Sequence, residues 1–281
     1  MAIISFWSGD KKPSGQTLSM AAIATQMCIE HNMRTLIVDA TFDDDTLERC
    51  FWNIKQSKSV GFAQKVNQGK VDIASGAEGL VSAVASNKTT PEIISNYTKI
   101  IFKNRLDVLP GLKTKILEEH EKSLMLYKDL LNAANKYYDL VFVDLSKTTR
   151  RETTKAILEA SAVIVYTMPP NLKKIDTYLQ LRHELPLLKG NNIIPIYTMS
   201  DESSKYNVKN ATKYVGERGV MATVPYNPLF MESACEAGVA NMFLQLRLSK
   251  SAMDKNSQFL NAVSDCGKRI IYKLQELQYK V

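Results

Sequence analysis

The sequence predicts an α/β protein built on one doubly wound, mainly parallel sheet with helices on both faces. Short runs rich in Val, Ile and Leu recur along the whole chain, at 3–7, 33–39, 106–111, 138–144, 161–169, 192–198 and 220–225. Stretches with helical periodicity separate most of them, which is the pattern of strands joined by crossover helices. Most of the runs are apolar throughout rather than alternating, as strands covered on both faces are.

At 281 residues the chain can bury a full core, and no linker, low-complexity tract or repeat divides it. We expect 1–250 to form one domain, with 251–281 a helical extension packed on it or an amphipathic tail. The formal charge of +7 is mild and spread along the chain. It favours nucleic acid or anionic lipid, but surface solubility explains it equally well. Cys28, Cys50, Cys235 and Cys266 show no C-x-x-C spacing, and His31, His120 and His183 show no ligand spacing with them. We therefore expect free thiols in a reducing cytosol, no zinc site, and histidines at the surface. The N-terminus lacks the parts of a signal peptide and no apolar run reaches membrane-spanning length, so the expected location is cytoplasmic, or peripheral at a membrane.

The first element, Ile3 to Trp7, runs into a loop from Ser8 to Gly15 and then a helical stretch from Thr17 to His31. A strand feeding a tight loop at a helix start is how a P-loop presents backbone N–H groups to phosphate. Against G-x-x-x-x-G-K-S/T the loop keeps Gly15 and Thr17, while Asp10 stands at the first glycine and Gln16 at the lysine. Such connections also occur without a ligand, and Thr17 then serves as a helix N-cap. Trp7 is read as core. The segment Leu18 to Ile29 is apolar on nearly all sides, as a helix against a sheet is. Met33 to Asp39 follows at once and completes β-α-β.

Residues 43 to 99 are less regular. Asp43-Asp44-Asp45 is a cap candidate, Gly61, Gly69, Gly76 and Gly79 punctuate short pieces, and Thr90-Pro91-Glu92 starts a helix. Leu106 to Gly111 is a short strand with a hard stop, and a charged helical stretch covers 115–137. Tyr138 to Asp144 is a strand ending in an acid. Ser161 to Pro169 closes at a Pro-Pro pair, and helices at 171–188, 205–216, 230–245 and 251–279 accompany the last two strands.

Together these pieces resemble the MinD/ParA branch of the P-loop NTPases, from about residue 2 to about residue 245. The family's loop, G-K-G-G-x-G-K-T, falls on Asp10-Lys11-Lys12-Pro13-Ser14-Gly15-Gln16-Thr17. Lys11 then matches the signature lysine that reaches across a dimer to the partner's nucleotide. Ile37-Val38-Asp39-Ala40-Thr41 falls on L-x-D-x-D, with Asp39 matching, Thr41 at the catalytic aspartate's place, and Asp43 two residues on. Tyr138 to Asp144 resembles the Y-D-x-x-x-x-D Walker B strand, although Ser146 and Lys147 stand where a proline and glycine usually follow. Leu106 to Gly111 is similar to L-x-V-L-P-G, and Val224 to Pro228 with Glu232, Ala234 and Gly238 to I-P-x-D…E-A…G. Within the branch the pattern most resembles the pilus-assembly relatives called TadZ or CpaE. The resemblance implies ATP held by Lys11, Lys12, Ser14, Gly15, Gln16 and Thr17, and magnesium near Thr17, Asp39 and Asp144. It also implies a homodimer and a protein partner in a pilus, secretion or partition machine.

The departures bear on the chemistry. Gln16 donates a hydrogen bond without charge, and a charge-assisted bond contributes about 1.5–3 kcal/mol. Phosphate affinity is thus expected to fall roughly ten- to hundredfold, and catalysis further. Pro13 removes a backbone N–H, Lys12 and Pro13 replace flexible glycines, and Asp10 adds negative charge, while Lys11 and Lys12 offer ammonium groups in return. Thr41 replaces the acid that would hold the attacking water, with Asp43 as substitute. We expect a degenerate site on a non-catalytic or weakly ATP-binding positioning and recruitment scaffold. The alternatives are an active ATPase cycling between dimer and monomer, and a ParA-like DNA-binding partition protein using the basic pairs Arg150-Arg151, Lys173-Lys174 and Lys113-Lys115. At the C-terminus Ile270, Leu274, Leu277 and Val281 share a helical face, with Lys268, Arg269, Lys273 and Lys280 around the others, which fits core docking or contact of 266–281 with a membrane.

Overall fold

The computed structural model describes residues 1–9, 14–54, 76–86, 90–145, 151–248 and 254–278. Asp10, Lys11, Lys12, Pro13, Gly61, Gly69, Ser146, Lys147, Arg150, Lys280 and Val281 lie outside the described residues.

The opening unit is β1 (Ala2–Trp7), α1 (Gln16–Glu30) and β2 (Thr35–Ala40). Helices α2 (Thr46–Phe51) and α3 (Ala77–Ala85) and a 3-10 turn at Pro91–Tyr97 lead to β3 (Lys99–Phe102) and β4 (Leu106–Leu109). Then come α4 (Leu117–Leu124), α5 (Tyr127–Ala134), β5 (Leu140–Leu145), α6 (Arg151–Glu159), β6 (Val163–Met168), α7 (Leu172–Glu184) and β7 (Ile193–Ser200). The chain closes with α8 (Val208–Val215), β8 (Ala222–Pro225), α9 (Pro228–Cys235), α10 (Val239–Leu248) and α11 (Lys255–Gln278). Among the described residues eight strands form one sheet in the order β3-β4-β2-β5-β1-β6-β7-β8. Every neighbouring pair is parallel except β3 with β4. The doubly wound, mainly parallel sheet is therefore present, with β1 between β5 and β6 so that the loop after it opens at the middle of the sheet's carboxyl edge.

Two apolar layers cover the two faces. One joins α1, α9, α10 and α11 to the sheet through Met20, Ile23, Met27, Phe142, Phe230, Phe243 and Phe259. The other joins α3 to α8 through Leu80, Leu130, Val143, Tyr166 and Tyr178. Helix α1 is buried at every position but Leu18 and Glu30, which is why its sequence shows no polar face. Helix α11 lays Phe259, Val263, Cys266 and Ile270 against α1 and β8, with Leu274 and Leu277 partly buried behind them. The face that a membrane tail would present is thus turned to the protein. No described helix is long and apolar enough to cross a membrane.

Several elements differ from expectation. The sequence reading has no counterpart of the edge strand β3, which is only four residues long, with Lys99 and Ile100 exposed, Ile101 and Phe102 partly buried against the core, and Lys99 Nζ 4.1 Å from the Trp52 ring centre. The helix α6 was also missed. The 115–137 stretch breaks into α4 and α5, and 230–245 into α9 and α10, where Ala237 takes a left-handed φ of 58°. His120, expected at the surface, is 0% exposed and packs edge-on against Phe42 with ring centres 5.2 Å apart. Cys28, Cys50, Cys235 and Cys266 are free thiols, and burial pushes Cys28, Cys50 and Cys266 up to about 12, which leaves those three inert.

Candidate functional site

The loop between β1 and α1 is shaped from both ends. Tyr166 donates its hydroxyl to the Ser8 carbonyl at 2.6 Å, and the Trp7 ring stands edge-on to Tyr166, on the core side as expected. Ser14 brings the chain to α1. Gly15, not Thr17, is the N-cap, with φ 69°, and a Cβ there would come within 3.3 Å of Thr198. Only glycine takes this turn without strain. Thr198 on β7 donates its hydroxyl to the Ser14 carbonyl at 2.5 Å, and Ser14 Oγ lies 3.4 Å from Thr167 Oγ1 on β6.

Gln16 and Thr17 turn onto the end of β5. Gln16 donates Nε2 to Asp144 Oδ1 at 2.5 Å and to the Leu145 carbonyl at 2.9 Å. Thr17 donates its hydroxyl to Asp144 Oδ2 at 2.5 Å. Both carboxylate oxygens of Asp144 thereby accept from the first turn of α1. Gln16 is 1% exposed, and its Oε1 has no hydrogen-bond partner among the described residues.

Asp39 is paired with Asp144 across the β2–β5 register. Burial, with the neighbouring Asp144 charge adding to it, holds the Asp39 carboxyl well above the usual carboxylate range. Its Oδ1 accepts from both the N–H and the hydroxyl of Thr41, at 2.8 and 2.6 Å. Gly111 backs it closely, since a Cβ there would lie 3.2 Å from the carboxyl. Asp43 is exposed with φ 48°, outside this cluster. Ser14, Gly15, Gln16, Thr17, Asp39, Thr41 and Asp144 therefore converge, whereas Asp43 does not, and Lys11 and Lys12 lie outside the described residues. Sequence reasoning missed Thr167, Thr198 and the Leu145 carbonyl, none of which belongs to a spaced motif. Among the described residues no group of three or more His, Cys, Asp or Glu could hold a metal ion.

Beside the start of α1 a cleft runs between Gly15, Leu18 and Ser19 on one side and Val224 to Asn227, Phe230 and Met231 on the other. Its volume is about 20 Å³. A larger groove of about 410 Å³ lies between Ala2, Met33, Leu140 and Leu274, at the opposite end of the strands.

No family model matches the chain, and no curated protein matches it in sequence. Solved structures do match in fold over nearly the whole length. The ParA family ATPase from Chlorobium tepidum TLS superposes with a TM-score of 0.69 at 18% identity, over 95% of this chain and 98% of that one. This chain has the fold of the ParA and MinD ATPases. The septum site-determining protein MinD of Pyrococcus horikoshii OT3, solved with Mg-ADP, gives a TM-score of 0.64 at 15% identity, over 97% and 98% of the two chains. The MinC:MinD cell division complex of Aquifex aeolicus gives 0.60 at 15%, over 96% of each. On the ParA/MinD fold the α1 start, Asp39 and Asp144 occupy the carboxyl edge of a parallel sheet, where open α/β folds bind their ligands.

Proposed function

We propose that this chain is a positioning or partition protein of the ParA/MinD type whose nucleotide site does not turn over ATP. The observation that carries the reading is the Gln16 carboxamide, bonded to Asp144 and to the Leu145 carbonyl in the place of an ammonium group. Phosphoryl transfer builds negative charge that a lysine or arginine must meet. An amide whose N–H groups are already committed to β5 does not meet it. Thr17 donates to Asp144 and keeps its oxygen lone pairs for a cation, whereas Thr41, at the place of an acid, is bonded to Asp39 and brings no charge to orient an attacking water.

On this reading the chain acts as a dimeric cytoplasmic scaffold that recruits a protein partner of a pilus, secretion or partition apparatus. The fold shared with MinD in complex with MinC supports a protein partner. The TadZ/CpaE-like sequence pattern supports the first two machines.

The test is calorimetry with ATP and magnesium, paired with a phosphate-release assay on the full chain. We expect neither binding heat at micromolar affinity nor release above background. Micromolar binding with turnover overturns the proposal.

A further inference from the structure

The end of β7 carries a bulge that aims one side chain at the start of α1. The β7–β8 register shifts between Thr198 and Ser200, and the residue between them, Met199, has a φ of 50°. A non-glycine residue in the left-handed region costs about 1–2 kcal/mol. Such strain persists only where the surroundings hold it, and bulges beside functional sites re-aim side chains.

Met199 is held from both sides. Thr198 is tied to the Ser14 carbonyl at 2.5 Å. Ser200 Oγ lies 2.5 Å from Thr223 Oγ1, and the Ser200 carbonyl accepts the Tyr226 N–H at 3.0 Å. The thioether is thereby folded back over α1, with its Cε 3.4 Å from the position a Cβ on Gly15 would take. The same side chain lines the cleft between α1 and the β8–α9 loop and leaves it room for about one water molecule. An unbranched side chain with three rotatable bonds is suited to filling such a gap.

A ligand anchored by phosphate on the α1 N-terminus must lay the rest of its body in the crevice next to it, beyond the carboxyl ends of the strands. Met199 stands in that crevice. We propose that Met199 is a built-in plug, which closes the subsite for the planar heteroaromatic end of a nucleotide independently of the change at Gln16. The inference rests on the reading of the site given under Proposed function and adds a second, separable obstruction to it.

The test is a calorimetric titration of ATP with magnesium into the full-length native chain, Gln16→Lys, Met199→Gly and the double variant. Glycine suits a φ of 50°, so Met199→Gly keeps the fold, which a thermal melt verifies, and Met199→Ala is run alongside. The double variant is expected to bind at least about tenfold more tightly than Gln16→Lys. If Gln16→Lys binds as tightly as the double variant, or if the folded double variant gains nothing over it, Met199 is not a plug, and the reading of Gln16 is untouched. If the native chain itself binds and hydrolyses ATP, the reading of the site fails, and the comparison of Met199→Gly with the native chain still decides the plug: tighter binding supports it, equal binding overturns it.

Discussion

On the reading proposed above Gln16 stands where a P-loop has its lysine, and its structural role differs in kind from a lysine's. A lysine there offers a point charge to a ligand, whereas the carboxamide ties α1 to the end of β5 without one. At the same edge His120 is buried against Phe42, beside the Ala40 backbone. Burial lowers its affinity for a proton below that of a free histidine. The folded state therefore holds His120 neutral, while the unfolded chain takes up a proton below about pH 6.5. Protons bind more to the unfolded chain in that window, so stability is fully present above it and lost as pH falls through the folded value. The His120 contribution to the urea midpoint should be level from about pH 7 to 8 and decline toward pH 5, opposed by Asp39, whose raised carboxyl stabilises at low pH and loses that contribution as pH rises. In His120→Phe the part of this decline due to His120 should vanish, and an unchanged profile would remove the assignment.

At the scale of elements, α1 and α11 meet where Gly267 faces Met27. A Cβ at Gly267 would fall 2.6 Å from Met27 Cγ, so the two helices pack closer than any side chain there permits. Gly267→Ala gains about 1 kcal/mol of helix propensity but overpacks a buried contact at about 1–3 kcal/mol. The net expectation is a loss of up to about 2 kcal/mol, seen as a melting temperature lower by up to about 4 °C. A melt at or above that of the native chain would show that Met27 yields freely. From sequence α11 reads as either core or tail. Its apolar face is plain in Ile270, Leu274 and Leu277, but periodicity does not say what that face covers.

For the whole molecule, α11 closes the apolar layer on one side of the sheet, beside β8 and over α1. Ending the chain after residue 254 would uncover Met27, Ile23 and the α1 face that Phe259, Val263 and Ile270 now bury. Each such side chain contributes about 1.5–3 kcal/mol when buried. The shortened chain should bind a hydrophobic dye and melt well below the full one, whereas a free lipid-seeking tail would leave both unchanged. The sequence by itself determined the alternation of strands and helices, the loop after β1, and the two acids at the ends of β2 and β5. Burial on both faces of a strand and on nearly every side of α1 is written into consecutive residues, so those features are legible locally. It did not show β3, a four-residue edge strand of which only Ile101 and Phe102 are partly covered, or α6. Only the tertiary structure decided that Gln16 bonds Asp144, that Thr198 holds Ser14, and that Met199 lines the cleft beside Gly15. Those partners come from strands far apart in the chain, and what joins them is strand order, register and one bulge, which no local run of residues records.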